Sequence, residues 1–234
     1  MTRLLVEKLT KYFTLHTKGG IVVKGFSNVS FELKEGEFLA LSGSSGSGKS
    51  SVLKSIYRTY IPSSGNVFYY SKNGKTINLA AADESTILTM RKAEVGYVSQ
   101  FLRVLPRITA LEVVAQPLKD LGEYETKALD EASGLLDFLG IREELLNISP
   151  LTFSGGEQQR VNIAQGVIAP KNLLLLDEPT ASLDAENSEK VLTKLLEIKR
   201  KGTSMIGIFH NRDIMQKVSD KIYNLEEKAY AVSN

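Results

Sequence analysis

The sequence predicts an α/β fold in which a largely parallel sheet domain carries an inserted helical segment. Short apolar runs rich in branched side chains recur along the chain, and each run ends in glycine or small polar residues. Amphipathic stretches separate the later runs at the spacing of strand–helix–strand units. Between Gln100 and Phe153 the strand signals stop and a helical pattern replaces them. These three observations indicate a single sheet domain with a helical lobe.

The strand signal is carried by five segments: Val29–Leu33, Phe38–Leu41, Val95–Val98, Leu173–Leu176 and Met205–Phe209. The dipeptide Glu35-Gly36 between the first two predicts a hairpin and therefore some antiparallel structure. In the helical segment one apolar face, which Gly134 interrupts, contains Leu129, Ala132, Leu135, Leu136 and Leu139. We expect one domain over residues 1–234, with a core of about 1–100 and 154–234 and a helical subdomain of about 101–153.

Composition excludes several functional classes. The 234 residues provide a sizeable core, and their net charge of +2 disfavours a dedicated nucleic-acid binder. Without cysteine the chain has no disulfide, thiolate nucleophile or Cys-based metal site, which fits a reducing compartment. The longest apolar runs are about five residues, far below the roughly 20 that a bilayer span needs. We therefore expect a cytoplasmic protein that neither inserts into a membrane nor binds nucleic acid.

A phosphate-binding loop follows the second predicted strand. The sequence GSSGSGKS at 43–50 matches the pattern GxxxxGK[ST], and a helical pattern comes directly after it. Glycines let several backbone N–H groups converge on one phosphate at the positive end of the helix. Lys49 would add a charge between the β- and γ-phosphates, and the Ser50 hydroxyl would bind Mg²⁺. The remaining predicted nucleotide contacts are Gly43, Ser44, Ser45, Gly46, Ser47, Gly48 and Ser51.

Two carboxylates end the leucine run at 173–176. Asp177 and Glu178 would lie at the carboxyl edge of a buried strand, where open α/β sheets place their ligands. Asp177 would organise Mg²⁺, and Glu178 would orient and polarise the attacking water. Strand ends often carry acidic residues, and Pro179 would stop a strand by itself. The carboxylate pair therefore indicates a metal and water site only because the chain also has a phosphate-binding loop.

The order of the motifs along the chain resembles that of the ATP-binding-cassette (ABC) ATPases. The segment FSGGEQQR at 153–160 begins a predicted helix; alone, its serine and glycines would be typical of a turn. The resembling segments, in order, are Walker A at 43–50, Gln100, the signature at 153–160, Walker B at 173–178, Ser182-Leu183-Asp184 and His210. The resemblance implies a P-loop ABC nucleotide-binding domain with a RecA-like core, an antiparallel β-subdomain and an inserted α-helical subdomain.

The same resemblance assigns an activity and further roles. It implies hydrolysis of ATP with Mg²⁺ as cofactor, with Gln100 sensing the metal and the water, and His210 acting at the γ-phosphate. Two chains, identical or related, would pair so that each ATP lies between Walker A of one chain and the signature of the other. The contributing signature residues would be Ser154, Gly155 and Gly156, and Asp184 would lie at the dimer seam.

An aromatic residue before the loop is a candidate for stacking on adenine. The family places such a ring about 30 residues before Walker A, where this chain has Tyr12 and Phe13. Phe13 aligns better with that position. The alternative is an ordinary core aromatic of the first strand, since aromatic residues favour strands.

The segments 98–114 and 152–164 are most similar to the PhnL family, the cassette proteins of the bacterial carbon-phosphorus lyase system for alkylphosphonate breakdown. This implies partnership with the lyase core subunits and with a PhnK-like cassette. The alternative is the ATPase subunit of a membrane transporter of the lipoprotein or macrolide export type. An apolar cluster, Phe101, Leu102, Val104 and Leu105, could seat either partner or be buried under the helical lobe.

Overall fold

The computed structural model describes residues 1–15 and 20–231. Its strands are β1 (Thr2–Leu15), β2 (Ile21–Lys34), β3 (Phe38–Ser42), β4 (Ser64–Tyr70), β5 (Thr76–Asn78), β6 (Val95–Val98), β7 (Leu173–Asp177), β8 (Ser204–Ile208), β9 (Lys221–Asn224) and β10 (Ala229–Ala231). Its α-helices are α1 (Lys49–Ile56), α2 (Glu84–Ala93), α3 (Ala110–Asp120), α4 (Glu125–Phe138), α5 (Gly155–Val167), α6 (Ala185–Arg200) and α7 (Arg212–Val218).

The larger sheet has the strand order β10-β9-β3-β8-β7-β6 and is parallel except for the β10–β9 pair. Its central strands are buried on both faces. Leu174 and Leu176 of β7 pack into the cluster formed with helices α3 to α7, whereas Leu173 and Leu175 pack into the cluster formed with α1, α2 and the smaller sheet. A strand buried on both faces needs a continuous apolar run, which explains the four consecutive leucines.

The smaller sheet is antiparallel, with the order β2-β1-β4-β5. The hairpin predicted at Glu35-Gly36 is wrong, because the strands on either side of this dipeptide belong to different sheets. β2 pairs with β1, whereas β3 pairs in parallel with β8 and β9. Gly36, at φ 67°, turns the chain from one sheet into the other instead of back along β2. The buried Arg3 guanidinium bonds to the Glu35 carboxylate at 2.7 Å and so ties this turn to β1.

Helices α3 and α4 lie between β6 and α5 in the sequence, and α3 contacts both α4 and α5. The predicted apolar face of this segment is buried at Ala132, Leu135, Leu136 and Leu139. Gly134 lies within this face, and α4 runs through it without a break. Among the described helices, none has the length and apolar character to cross a membrane.

The strand order determines which loops meet. In the run β3-β8-β7-β6 all four strands point the same way, so the loops that follow them emerge at one edge of the sheet. These loops carry Walker A after β3, His210 after β8, Glu178 after β7 and Gln100 after β6. Residues separated by more than 150 positions in the sequence are thereby brought together.

Helix α5 packs directly on β6 through two glycines. A Cβ atom on Gly166 would lie 2.4 Å from Cγ2 of Val98, and one on Gly96 would lie 3.3 Å from the Gly166 carbonyl oxygen, a tight contact. At Gly166, hydrogen is the only side chain that this separation accommodates. The two glycines therefore set the distance between the helix that begins at the signature and the strand that precedes Gln100.

Gly166→Ala should lower the free energy of unfolding by about 1–3 kcal/mol, because the new methyl group overpacks the α5–β6 contact. Gly134→Ala is the matched control: it is also a helical glycine, but its Cβ would meet nothing within 4 Å. The control should stabilise the chain by up to about 1 kcal/mol, the helix propensity gain of alanine over glycine. Urea unfolding of both variants measures the difference, and equal stability of the two would show that the contact is not tight.

Candidate functional site

A cavity of about 890 Å³ opens between the 43–50 loop, the carboxyl ends of the strands and α7. The backbone of the loop turns sharply between β3 and α1, because Gly46 and Gly48 have φ values of 82° and 98°, in the left-handed region. At Gly48 glycine is also required by space, since a Cβ would lie 2.3 Å from the Gly25 carbonyl oxygen. The loop therefore keeps its backbone free of side-chain atoms where α1 begins, as a phosphate cradle requires.

Lys49 is the first residue of α1, and its ammonium group lies against the loop. The Nζ atom donates to the carbonyl oxygens of Gly43 at 2.8 Å and Ser44 at 2.7 Å. These two bonds hold a positive charge at the start of the helix, where the helix dipole is also positive. Ser45, Gly46, Ser50 and Ser51 line the same cavity.

Asp177 accepts two hydrogen bonds, one on each carboxylate oxygen. Ser50 Oγ donates to Oδ1 at 2.7 Å, and the Tyr97 hydroxyl donates to Oδ2 at 2.8 Å. Asp177 is only 1% exposed. Burial, together with the neighbouring Asp177 carboxylate, raises the pKa of Tyr97, so this hydroxyl remains a donor.

The donor set at this point fits Mg²⁺. A hydroxyl and a carboxylate are hard oxygen donors, and they lie together at the foot of the phosphate loop. In the described part of the chain no group of three or more His, Cys, Asp or Glu could hold a metal by itself. Mg²⁺ is typically bound by one or two protein oxygens together with waters and substrate phosphates, and this arrangement provides that number.

Glu178 is the point where three loops meet. Its Oε2 atom accepts from Gln100 Nε2 at 3.0 Å and lies 2.8 Å from His210 Nε2. Its backbone has φ 56°, a left-handed conformation that is uncommon for a residue with a side chain, and its N–H donates to the Ile208 carbonyl. Strained backbone of this kind concentrates at functional sites. The carboxylate is held at the cavity by side chains from the loops that follow the two neighbouring strands, β6 and β8.

The signature residues lie elsewhere. Ser154 caps α5, with its hydroxyl and backbone N–H both donating to the Glu157 carboxylate. A Cβ on Gly155 would meet nothing within 4 Å, whereas one on Gly156 would lie 3.1 Å from the Ser182 carbonyl oxygen. Asp184 caps α6 and is exposed; the Asn187 amide holds the pKa of its carboxyl below the usual range. These residues face outward rather than line the cavity, so the structure separates them from the other predicted site residues.

Phe13 lies beside the phosphate loop rather than in it. Its ring packs edge-on against Tyr60 at 5.1 Å and lies close to Gly25, which in turn touches Gly48. Lys11 Nζ lies 5.2 Å from the ring centre. Tyr12 on the other face of the strand is exposed, and its N–H donates to Ser63. Of the two aromatics, Phe13 is therefore the one that borders the loop.

The apolar cluster after Gln100 is divided between the core and the surface. Leu102 and Val104 pack against the helical core, as one sequence interpretation expected. Phe101 and Leu105 are each 70% exposed, as the other expected. The alternation leaves two large apolar side chains on the surface a few residues from the cavity.

Two residues of the site were missed by sequence reasoning. Tyr97 could have been found, because alternation along β6 and β7 places it on the same face as Asp177. Glu226 has no motif around it. Its carboxylate accepts from the Ser44 N–H at 3.3 Å and from the Ser44 hydroxyl, contacts that lower the pKa of Glu226.

The chain is similar to known ATP-binding proteins along most of its length. Residues 26–181 match the family described as ABC transporter. The lipoprotein-releasing system ATP-binding protein LolD of Aquifex aeolicus is 36% identical over 198 residues, covering 83% of this chain and 86% of the relative. The cell division ATP-binding protein FtsE of Bacillus subtilis is 32% identical over 205 residues, covering 88% of this chain and 87% of the relative.

A solved structure extends the likeness to the whole fold. The dimeric post-hydrolysis state of the ATP-binding cassette MJ0796, bound to ADP and Pi, superposes with a TM-score of 0.86 at 28% identity. The alignment covers 99% of both chains. The expected fold class, an ABC cassette with mixed α/β sheets, is confirmed.

Glu226→Gln should lower the Kd for ATP about two- to five-fold, the range that exposed charge interactions give, because it removes a negative charge from the phosphate loop. Glu227→Gln is the matched control, since Glu227 also lines the cavity but does not bond to Ser44. Titration with a fluorescent ATP analogue at low and high salt measures the effect, which salt should reduce. An equal change in both variants would contradict a specific role of the Ser44 contact.

Proposed function

The chain belongs to the ABC transporter family and is an ATPase of that family, and on this premise we propose that it hydrolyses Mg-ATP at a site completed by a second cassette chain. The observation that carries the proposal is the placement of Glu178, bonded to Gln100 and His210, at the mouth of the cavity above the phosphate loop. A carboxylate held there can act on a water molecule in line with the terminal phosphate.

The residues divide the work by position. Glu178 orients the attacking water and accepts its proton, while Gln100 and His210 hold the carboxylate in place and contact the water and the γ-phosphate. Lys49 and the loop N–H groups bind the phosphates. Ser50 and Asp177, together with Gln100, would hold Mg²⁺. The metal, when bound, neutralises charge on the β- and γ-phosphates.

The adenine base would stack on Phe13. This ring borders the loop through Gly25, and the edge contact with Tyr60 fixes its plane. Stacking of a base on an aromatic ring gives about 1–3 kcal/mol, so Phe13 contributes affinity without selecting the reaction.

Dimerisation explains why the signature lies outside the cavity. Ser154, Gly155 and Gly156 present the N-terminal end of α5 to the surface, and this end offers N–H donors and a positive dipole. In a head-to-tail pair these groups reach the phosphates bound by the other chain, with Asp184 at the seam. The dimeric form of the similar cassette supports this arrangement.

We propose that this ATPase acts on the carbon-phosphorus lyase assembly, with a PhnK-like cassette as the second chain. The support is the similarity of residues 98–114 and 152–164 to the PhnL family, and the first of these segments contains the exposed Phe101 and Leu105. In this account residues 1–100 and 154–234 form the catalytic core, and residues 101–153 form the lobe that docks the lyase subunits in the cytoplasm.

A second candidate is a membrane permease as the load. It is favoured by the relatives LolD, which is part of a lipoprotein-releasing system, and FtsE, a cell division ATP-binding protein. The same surface would then receive a cytoplasmic helix of the permease. The ATPase chemistry is identical in both cases, so only the partner distinguishes them.

Glu178→Gln should reduce the rate of ATP hydrolysis by at least about 100-fold, because an amide cannot accept the proton of the attacking water. ATP affinity should change less than about two-fold, since the phosphate loop is untouched. Glu189→Gln serves as the control, because Glu189 is an exposed acid bonded to Lys217 outside the loop. Steady-state phosphate release and nucleotide titration measure the two quantities, and equal turnover in Glu178→Gln and the parent chain would refute the role.

The partner is tested by purifying the tagged chain from its own cells grown on a phosphonate, with and without detergent. Recovery of carbon-phosphorus lyase subunits without detergent supports the first candidate, and recovery of a polytopic permease only with detergent supports the second.

The docking surface is tested by the same purification. The double variant Phe101→Ser, Leu105→Ser should lose the partner. Leu88→Ser, which changes a similarly exposed leucine on α2, should retain it. Retention by the double variant would contradict docking at this surface.

A further inference from the structure

We propose that Tyr97 is a positioning residue for the magnesium site, acting through Asp177. Tyr97 lies on β6, level with Leu175 of the neighbouring parallel strand β7. Alternate residues of a strand share a face, so Asp177, two positions after Leu175, lies on the side that Tyr97 occupies. The length of the tyrosine side chain carries its hydroxyl to Asp177 Oδ2 at 2.8 Å.

The two bonds to Asp177 leave the carboxylate one orientation. Ser50 Oγ holds Oδ1 from the loop side at 2.7 Å, while Tyr97 holds Oδ2 from the β6 side. Asp177 is almost completely buried, so water does not compete for these positions. One carboxylate oxygen then faces the Mg²⁺ ligand Ser50 while Tyr97 engages the other. Without the tyrosine hydroxyl, the plane of the carboxylate could turn about the Cβ–Cγ bond, and the oxygen beside Ser50 would lose its fixed position.

The position of the hydroxyl is itself fixed by packing. The Tyr97 ring stacks on Tyr57 of the α1 C-terminus, with centroids 5.0 Å apart and planes 22° from parallel. The Cζ atom of Arg91 lies over the Tyr57 ring, 4.5 Å from its centroid. Two guanidinium nitrogens of Arg91 donate to the Tyr57 carbonyl oxygen at 3.0 and 3.1 Å. The series Arg91, Tyr57, Tyr97 thus connects α2 and α1 to the carboxylate. Such support of a ligand by neighbouring hydrogen bonds is a recognised determinant of metal affinity.

Tyr97→Phe tests the proposal, because it keeps the ring and its stacking but removes the hydroxyl. We expect the affinity of Mn²⁺ for the complex with a non-hydrolysable ATP analogue to fall roughly 10-fold by electron paramagnetic resonance. The Mg²⁺ concentration for half-maximal ATP hydrolysis should rise by a similar factor. Binding of the analogue in EDTA, without metal, should be unchanged. The temperature of unfolding should fall by a few degrees, because Oδ2 of the buried Asp177 loses its hydrogen-bond donor.

Tyr57→Phe is the matched control, since it removes a hydroxyl from the partner ring of the same stack, which does not bond to Asp177. It should leave Mn²⁺ affinity within about two-fold of the parent chain. Equal Mn²⁺ affinity of Tyr97→Phe and Tyr57→Phe would overturn the proposal. A loss of metal-free nucleotide binding in Tyr97→Phe as large as its loss of Mn²⁺ affinity would also overturn it, because the role would then be general packing.

Discussion

The hydrogen bond from Ser50, in the first turn of α1, to Asp177 links the segment that follows β3 to the end of β7, a strand that is not the neighbour of β3. β8 lies between β3 and β7, so the loop after β3 and the end of β7 meet only above the carboxyl end of β8. This bond places the phosphate loop beside the buried carboxylate, and Glu178, the next residue, is thereby directed to the mouth of the cavity. The rest of the site is built around this carboxylate: Gln100 donates to Glu178, and His210, which also lines the cavity, lies 2.8 Å from it.

The sheet is built to keep that bond in place. Its central strands are apolar on both faces and buried between two layers, so their carboxyl ends have little freedom. In β3 and β7, polar side chains appear only at the carboxyl ends, at Ser42 and Asp177. The signature at the start of α5 is exposed instead. In the proposed function, the cavity provides one half of an ATP site, and the outward-facing end of α5 provides the other half to a partner chain.

Much of this architecture is local in the sequence and could be predicted from it. The phosphate loop, the leucine run into Asp177 and the helical stripe of α4 each lie within one short segment, where spacing carries the information. Glu35-Gly36 was misread because a turn residue does not specify which strand the chain joins next. Glu226 was not predictable, since its contact with Ser44 spans 182 residues and depends on the complete sheet. The exposure of Phe101 and Leu105, beside the partly buried Leu102 and Val104, likewise follows from tertiary packing rather than from composition.

The most direct measurement of the central claim is a mixing experiment with two inactive chains. Lys49→Ala lacks the phosphate-binding ammonium but keeps its signature, whereas Ser154→Arg keeps the phosphate loop but blocks its own signature. If ATP is bound between two chains, a mixed pair contains one intact site, and ATP hydrolysis should reappear when the two variants are combined. Ser154→Arg should still bind ATP alone. Where the parent chain hydrolyses ATP by itself, a mixture that stays as inactive as its separate components, or a Ser154→Arg chain with full activity by itself, would contradict the shared site.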